Sequence, residues 1–288
     1  MRFPKKEEEF NRWLVREYFK YGTVDEVLRK HRFSIPISYA NYQRVLNKWG
    51  VVKKAGPNNK LTEAIDFFSH LAKDNLSFEE LYSKVPLRFQ TSAKTFYRIF
   101  QYIKEGLTRR VGVGLIITPF NSQTKILLGR DVSTPRIELG KAFGQLSLPM
   151  GYARKRDSRR INILRILQQE VFTEEVINRT LTEIIPGNPE PFMYLDIADV
   201  RVALYHLQLP QNVSKLTDFF SYKLRDYKFV GLEEILTAGK GFRVGIKEAV
   251  LGYKKYLGLI ARNLSVNPIQ ARSVLNRDLA TIEVDVLV

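Results

Sequence analysis

The stretch LPMGYARKRDSRRINILRILQQEVFTEEV, residues 148–176, decides how the second half of this chain is expected to fold. It opens with proline and glycine two residues apart, which is typical of a tight turn. Ser158 is a suitable N-cap, and apolar residues then recur at helical spacing at Ile161, Leu164, Leu167 and Val171. We therefore predict a turn and then a helix that begins near Ser158 and extends as far as Ile177.

Apolar segments on both sides of this helix predict β-strands. Residues 111–120 form a β-branched run, and residues 121–123 read as a hairpin turn into a partner strand at 124–132. Further strands are expected within 145–149, within 191–210 and near 227–230, and a helix at about 244–259. Mixed strands with one long helix and one closing helix predict an α+β fold.

Residues 111–260 resemble the Nudix hydrolase domain. The resemblance rests on the opening strands that end in LLGRD, on the LPMG turn before the long helix, and on KFVGLEEIL at 228–236. It implies an α/β/α sandwich that holds Mg or Mn on glutamates of the helix. Such ions activate water and neutralise the charge of a nucleoside-diphosphate derivative.

The family's signature helix can be aligned in two registers, and neither keeps its full set of acids. Without gaps from Gly151, Asp157 falls on the first acid and Arg165 on the arginine, while Ile166 and Gln169 replace two glutamates. Only Glu170 then remains, which predicts very weak or absent catalysis.

The second register allows four extra residues before the helix core. It keeps two carboxylates, Glu170 and Glu174, whose spacing of four would put both on one helical face. These two are the candidate catalytic residues and, if the site is active, the candidate ligands of Mg or Mn. The chain is accordingly expected to be a binding protein rather than an enzyme, with a variant pyrophosphohydrolase as the alternative.

The loop between the turn and the helix, ARKRDSRR at 153–160, is basic where many Nudix enzymes have a glutamate. A basic loop can hold phosphate without a metal, although a solvated surface turn is the other interpretation. The candidate phosphate-binding residues are Gly151, Arg154, Lys155, Arg156, Arg159 and Arg160.

The N-terminal third contains a weak internal repeat at an offset of 54 residues. Each copy reads as a helix with acidic residues in its first turn, a short break with a proline, and a second helix capped by Ser38 or Ser92. Helices at 6–20 and 61–74 would precede the two copies. This pattern is typical of a tandem helix-turn-helix, an all-α bundle that binds DNA.

The polar faces of the two second helices supply the candidate nucleic-acid-binding residues. Arginine, asparagine and glutamine can form bidentate hydrogen bonds with base edges, and lysine mostly contacts phosphate. A solvated helical face or a protein-docking surface is the competing interpretation. The candidates are Ser38, Tyr39, Asn41, Gln43, Arg44, Lys48, Ser92, Lys94, Thr95, Tyr97 and Arg98.

Composition agrees with a polyanionic partner, nucleic acid first and DNA before RNA. The net charge is +16, of which residues 1–110 contribute +10, from 22 basic and 12 acidic side chains. The absence of cysteine excludes disulfides and thiolate metal sites, and three scattered histidines disfavour zinc. We find no apolar run of membrane-spanning length and no signal-like segment, so a cytoplasmic protein without a membrane partner is expected.

The chain therefore divides into a helix-turn-helix region at 1–108, a Nudix-like domain at 109–262 and a C-terminal extension at 263–288. The arrangement resembles Nudix-related transcriptional regulators, although their helix-turn-helix commonly follows the Nudix domain. The first hypothesis is a nucleic-acid-binding regulator whose impaired Nudix-like domain binds a nucleotide or organises an assembly. A structural or interaction protein is also open, because the alternating stretch TIEVDVLV at 281–288 could be an added strand within the chain or in a homodimer.

Overall fold

A computed structural model describes residues 3–4, 6–55, 105, 107–108, 110–134, 142–181, 183–213, 219–239, 241–265 and 267–280. The described helices are α1 Glu7–Tyr21, α2 Val24–Lys30, α3 Tyr39–Lys48, α4 Arg159–Glu170, α5 Thr173–Asn178, α6 Leu232–Thr237, α7 Ile246–Ala261 and α8 Val274–Ala280. The described strands are β1 Arg110–Thr118, β2 Lys125–Asp131, β3 Leu146–Ser147, β4 Met150–Tyr152, β5 Met193–Ile197, β6 Val200–Gln208, β7 Leu224–Gly231 and β8 Ile269–Arg272. The predicted α+β class, with N-terminal helices before a sheet-containing region, is confirmed.

Of the helices α1–α3, the second and third begin at a hydroxyl cap, and Ser38 is the cap that the sequence predicts. Thr23 Oγ1 accepts a hydrogen bond from Glu26 N, and Ser38 Oγ accepts one from Asn41 N, so each hydroxyl satisfies a backbone donor of the first turn. The break between α2 and α3 is longer than predicted, because residues 31–38 lie between them. That exceeds the three or four residues of a helix-turn-helix turn. The second copy of the repeat lies outside the described residues.

The described strands, which lie between residues 110 and 272, form two sheets. The larger sheet has the strand order β4-β1-β6-β5-β8, and the smaller has the order β3-β2-β7. β1 runs parallel to β6 over nine residues and antiparallel to β4 on its other side. Both edges of β1 are therefore occupied, and the predicted hairpin of β1 with β2 is wrong; β2 pairs with β7 instead.

The side chains of β1 contribute to two hydrophobic cores, one on each face of the strand. Ile116 lies in the core shared with α7, whereas Val113, Leu115 and Ile117 lie in the core shared with α4. Side chains of successive strand residues point to opposite faces, which is why one strand serves both layers. The arrangement places α4 against the face of the larger sheet, next to β1 and β4.

The long helix predicted from Ser158 is interrupted. Ser158 caps α4 as predicted, by accepting a hydrogen bond from Ile161 N, but α4 ends at Glu170 and α5 begins at Thr173. Phe220, from a segment distant in sequence, pairs with the backbone where the two helices meet. Its amide donates to Val171 O at 2.8 Å, and its carbonyl accepts from Thr173 N at 3.0 Å. Backbone groups that would continue the helix are thus paired with a distant segment.

The N-terminal helices pack on α5. Val176 and Ile177 of α5 belong to the same buried cluster as the apolar faces of α1, α2 and α3. Trp49 Nε1 donates to Ile177 O at 3.3 Å, and the Arg179 guanidinium stacks over the Trp49 ring. We call the helices α1–α3 with the following residues 49–55 the N-terminal module.

Residues of the predicted C-terminal extension join the larger sheet. β8 pairs in parallel with β5, from Met193 with Ile269 to Asp196 with Arg272. Residues 281–288, in which an added strand was predicted, lie outside the described part of the chain. Within the described residues we find no helix of the length and apolarity that a membrane span requires.

Candidate ligand-binding cavity

A cavity of about 400 Å³ lies between the N-terminal module and the larger sheet. The C-terminal end of α1 and residues 54–55 form one wall, and β1, β4 and the end of α4 form the other. Its volume falls within the range of small-molecule sites. The polar and aromatic side chains that line it are Tyr18, Phe19, Lys20, Tyr21, Lys54, Ser133, Thr134, Tyr152, Gln169, Glu170, Tyr222, Lys223 and Arg243.

Glu170 is the one carboxylate among the described residues that line the cavity, and both of its oxygens are bonded. Oε2 accepts a hydrogen bond from Met150 N at 2.9 Å, and Oε1 accepts one from Lys223 Nζ at 2.9 Å. Lys223 Nζ also donates to Gln169 Oε1 at 3.2 Å. The Glu170 side chain is only 7% exposed, so an ammonium compensates a buried negative charge here.

The second candidate carboxylate, Glu174, faces elsewhere. It lies beyond the break on α5, where its Oε1 accepts a hydrogen bond from Arg16 Nη2 at 3.0 Å. The predicted arrangement of Glu170 and Glu174 on one face of a continuous helix is therefore wrong. Within the described ranges, no group of three or more His, Cys, Asp or Glu side chains is placed to hold a metal ion.

Arg165, the residue that the ungapped register puts on the family's arginine, is buried at the centre of α4. It donates to Asp157 and to Asn162, and its Nε donates to Lys53 O at 2.9 Å. Asp157 and Arg165, which the ungapped register aligns with the first acid and the arginine of the family's signature, are therefore bonded to each other. Because the Arg165 side chain is only 2% exposed, these acceptors replace the hydration of its guanidinium group.

Two glutamines continue this contact along α4. Gln168 Oε1 accepts from Val52 N at 2.8 Å, and Gln168 Nε2 donates to Gly50 O at 2.8 Å. Gln169 Nε2 donates to Val52 O at 3.4 Å. Arg165, Gln168 and Gln169 thus bind the backbone of residues 50–53, and we call this set of hydrogen bonds the latch.

Most of the predicted phosphate-binding loop is turned away from the cavity. Gly151 lines the cavity, where an added Cβ would lie 3.1 Å from Ile166 Cδ1. Arg154 donates to Lys54 O at 3.3 Å, Arg159 pairs with Glu190, and Arg160 donates to Ile185 O at 3.0 Å. Lys155 and Arg156 are exposed and are not among the residues that line the cavity.

The cationic side chains in the cavity come from positions that the sequence did not single out. Lys20 lies in the last turn of α1, and Lys54 follows α3. Lys223 directly precedes β7, and Arg243 lies shortly before α7. They are far apart along the chain and belong to no motif, so only the fold brings them together. A hydrogen bond with Tyr21 raises the pKa of Lys20, and burial raises the pKa of Tyr18 and of Tyr222.

The polar face of α3 is mostly open to solvent. Five of the six candidates on this helix are exposed, namely Ser38, Tyr39, Asn41, Arg44 and Lys48, while Gln43 is half-buried. Arg44 Nη1 donates to Asn41 Oδ1 at 3.0 Å, which orders two of these side chains. The candidates Ser92, Lys94, Thr95, Tyr97 and Arg98 lie outside the described residues.

Comparisons with known proteins give no family model that matches and no curated protein that matches. Solved structures do match. A Nudix hydrolase from Nitrosomonas europaea is 18% identical over 57% of this chain and 78% of its own, with a TM-score of 0.38. MutT from Methanosarcina mazei Go1 is 16% identical over 55% of this chain and 98% of its own, with a TM-score of 0.37.

A third match is the Nudix domain of Shewanella oneidensis NrtR, solved in complex with ADP-ribose. It is 15% identical over 58% of this chain and 99% of its own, with a TM-score of 0.36. The first and third of these proteins carry the Nudix name that the LPMG turn and the flanking strands suggested. At these identities and TM-scores the likeness concerns the fold, and the function is argued from the cavity.

Proposed function

We propose that this chain is a nucleic-acid-binding regulatory protein whose Nudix-like domain binds a nucleotide without hydrolysing it. The observation that carries the proposal is the bonding of Glu170 by Lys223 and Met150 N. In a metal-dependent hydrolase a carboxylate in this position would offer its oxygens to the cation. Here the ammonium of Lys223 occupies one oxygen and the backbone amide occupies the other.

The donor set does not fit Mg or Mn. These hard cations take several oxygen ligands in a near-octahedral arrangement, usually from carboxylates, waters and phosphates. Glu174 pairs with Arg16, and a cation beside Glu170 would meet the positive charge of Lys223. We therefore derive no step through a metal ion, and the alternative of an active pyrophosphohydrolase becomes an outcome of the tests below.

The charge of the cavity favours an anionic ligand. Lys20, Lys54, Lys223 and Arg243 face a single carboxylate, Glu170, among the described residues of its lining. Ammonium and guanidinium groups bind phosphate oxygens with charge-assisted hydrogen bonds. Tyrosine rings beside them offer apolar surface for a base or a sugar. A nucleoside diphosphate or ADP-ribose combines both chemistries.

The exposed face of α3 supports nucleic acid as the second partner. It presents Arg44, Asn41 and Lys48 to solvent, on a module in a chain of net charge +16. The long break after α2 departs from a helix-turn-helix, so the proposal rests on the exposed side chains rather than on the motif. DNA is the polyanion that we propose first.

A calorimetric binding panel tests the ligand assignment. The full-length protein is titrated with ADP, ADP-ribose and inorganic pyrophosphate, with adenosine as the matched ligand that lacks phosphate. We expect saturable binding of the phosphate-bearing compounds and at least a tenfold weaker affinity for adenosine, since adenosine forms no charge-assisted hydrogen bond with the lysines. Equal affinity for adenosine and ADP, or no binding of any of the four, would overturn the assignment and favour a pure interaction protein.

A further inference from the structure

The cavity has walls from two parts of the chain, and each wall carries cations. The N-terminal module contributes Lys20 and Lys54, and the sheet region contributes Lys223 and Arg243. The side chains of Lys20 and Lys223 are 49% and 26% exposed, so neither is sealed from a ligand in the cavity. An anion that enters this cavity meets charge from both sides.

The latch lies next to the wall that the module supplies. α4 binds the backbone of residues 50–53, and the next two residues, Lys54 and Ala55, line the cavity. Lys54 N donates to Tyr18 Oη at 2.9 Å, and Lys54 O accepts from Arg154 Nη2 at 3.3 Å. The position of Lys54 is therefore set by bonds from α1, from α4 and from the loop that precedes α4.

Gln168 does not line the cavity, but it connects α4 to the segment that leads into the cavity wall. Its side chain is buried, and its amide forms two hydrogen bonds with the backbone of residues 50–52 in the manner of a neighbouring strand. Of the residues of α4 that hold the module, Gln169 stands where the ungapped register places a glutamate of the family's signature.

We infer that the cavity is a two-part anion site, in which a diphosphate group is bound jointly by lysines of the N-terminal module and of the sheet region, and that Gln168 is a positioning residue that holds the two parts together. This inference rests on the proposed nucleotide-binding function and extends it. Its consequence is linkage: a ligand that binds both walls stabilises the docked position of the module. The module also carries the exposed face of α3, so the ligand would bias the orientation of that face.

The test uses the full chain, inorganic pyrophosphate and ADP, in the presence of EDTA. We expect Lys20→Ala and Lys223→Ala each to weaken binding of both compounds by about tenfold, since each removes one charge-assisted hydrogen bond to phosphate. Lys254→Ala is the control, because Lys254 pairs with Glu233 on the surface outside the cavity. Weaker binding by Lys223→Ala with unchanged binding by Lys20→Ala would overturn the two-part site.

Gln168→Ala tests the positioning role separately. We expect it to weaken ADP binding by about three- to tenfold, although Gln168 does not touch the ligand, and to speed hydrogen exchange of the Val52 amide. Gln208→Ala is the matched control, because Gln208 Nε2 donates to a backbone carbonyl, Phe120 O, at the exposed end of β6. We also expect ADP to slow exchange of the Val52 amide in the wild type.

The two failures are distinguishable. If the wild type binds neither ADP nor pyrophosphate, the proposed function fails. If the wild type binds them while Gln168→Ala and Lys20→Ala bind equally well, the nucleotide site stands and the two-part inference is wrong. Lys20 is exposed at the end of α1, so its variant keeps the test decisive even if Gln168→Ala unfolds.

Discussion

The pair of Glu170 and Lys223 is the residue-scale feature on which the proposed function depends. Lys223→Met leaves a buried carboxylate with no cation, and because Lys223 is partly exposed we expect the free energy of unfolding to fall by about 1–3 kcal/mol. Glu170→Gln keeps an acceptor for Met150 N and is expected to cost less. The double variant Glu170→Gln/Lys223→Met should be more stable than Lys223→Met alone. Denaturant unfolding of the wild type, the two single variants and the double variant would then show that the two changes in free energy of unfolding are not additive.

Ligand binding separates this interpretation from a metal site. Glu170→Gln removes the charge that neutralises Lys223, so we expect affinity for ADP in EDTA to rise roughly two- to fivefold, equivalent to about 0.5–1 kcal/mol. Loss of ADP binding by Glu170→Gln in EDTA would contradict this expectation and would show that the carboxylate itself is needed for binding without a metal ion.

His206 gives a prediction about pH. Burial lowers its pKa to about 4, and its Nε2 lies 2.9 Å from Thr118 Oγ1 and 3.0 Å from Tyr253 Oη. The unfolded chain protonates this histidine near pH 6.5, so between about pH 6.5 and 4 the unfolded state binds more protons and stability falls as the pH falls. We expect His206 to account for about 2–3 kcal/mol of that decrease, since each pKa unit is worth about 1.4 kcal/mol.

His206→Gln is the variant that checks this number. It keeps hydrogen-bonding capacity towards Thr118 and Tyr253 but cannot titrate. The free energy of unfolding of the variant should therefore depend less steeply on pH between about 6.5 and 4 than that of the wild type. Identical slopes for the two proteins would show that His206 is not held neutral in the fold.

At the scale of elements, two glycines of α7 offer a matched comparison. A Cβ at Gly252 would overlap the sulfur of Met193 on β5, whereas a Cβ at Gly258 would meet nothing within 4 Å. Gly252→Ala is expected to destabilise the protein by about 1–3 kcal/mol through overpacking. Gly258→Ala should stabilise it by roughly 0.5–1 kcal/mol, because alanine is the better helix former.

Thermal or denaturant unfolding of these two variants checks how α7 sits on the larger sheet. The substitution and the helix are the same in both, so intrinsic helix propensity cancels from the difference. Equal effects at the two positions would mean that α7 does not approach β5 as closely as Gly252 indicates.

The elements themselves were largely predictable, because caps and periodicity are local. Ser158 and Ser38 each cap a helix in the structure, and the closing helix lies close to its predicted bounds. Two errors have a common cause. The end of α4 depends on backbone bonds from Phe220, and the parallel partner of β1 is β6, so both are set by residues distant in sequence. No local pattern reports such pairings.

The candidate site depends even more on residues that are distant in sequence, so less of it could be predicted. Gly151 and Glu170 were predicted because they belong to a motif, and both line the cavity. Lys223 lies 53 residues after Glu170 and Lys20 lies on another module, so charge pattern alone gave no reason to group them. The basic loop at 153–160 was the stronger sequence signal, yet Arg154, Arg159 and Arg160 bond protein oxygens and do not line the cavity.

At the scale of the whole molecule, the basic charge of the N-terminal module leads to a prediction about DNA. We expect the double variant Arg44→Ala/Lys48→Ala to bind duplex DNA more weakly, and the slope of log affinity against log salt to become shallower by about one for each phosphate that is no longer neutralised. Lys254→Ala/Lys255→Ala is the control with the same net charge, since both lysines are exposed on α7. If DNA affinity fell equally in the two double variants, the loss would be explained by net charge alone, and α3 would not be part of the DNA interface.

The Nudix-like domain is proposed to bind a nucleotide with its own lysines in place of a metal ion, and not to hydrolyse it. The most direct measurement is the calorimetric Kd of ADP for the wild-type chain in EDTA and again in saturating Mg or Mn, with the released phosphate assayed in the same samples. We expect the Kd values to agree within about threefold, which is under 1 kcal/mol, and phosphate to stay at the level found without protein. A Kd that falls about tenfold or more on adding the metal, together with phosphate release that Glu170→Gln abolishes, would contradict the proposal.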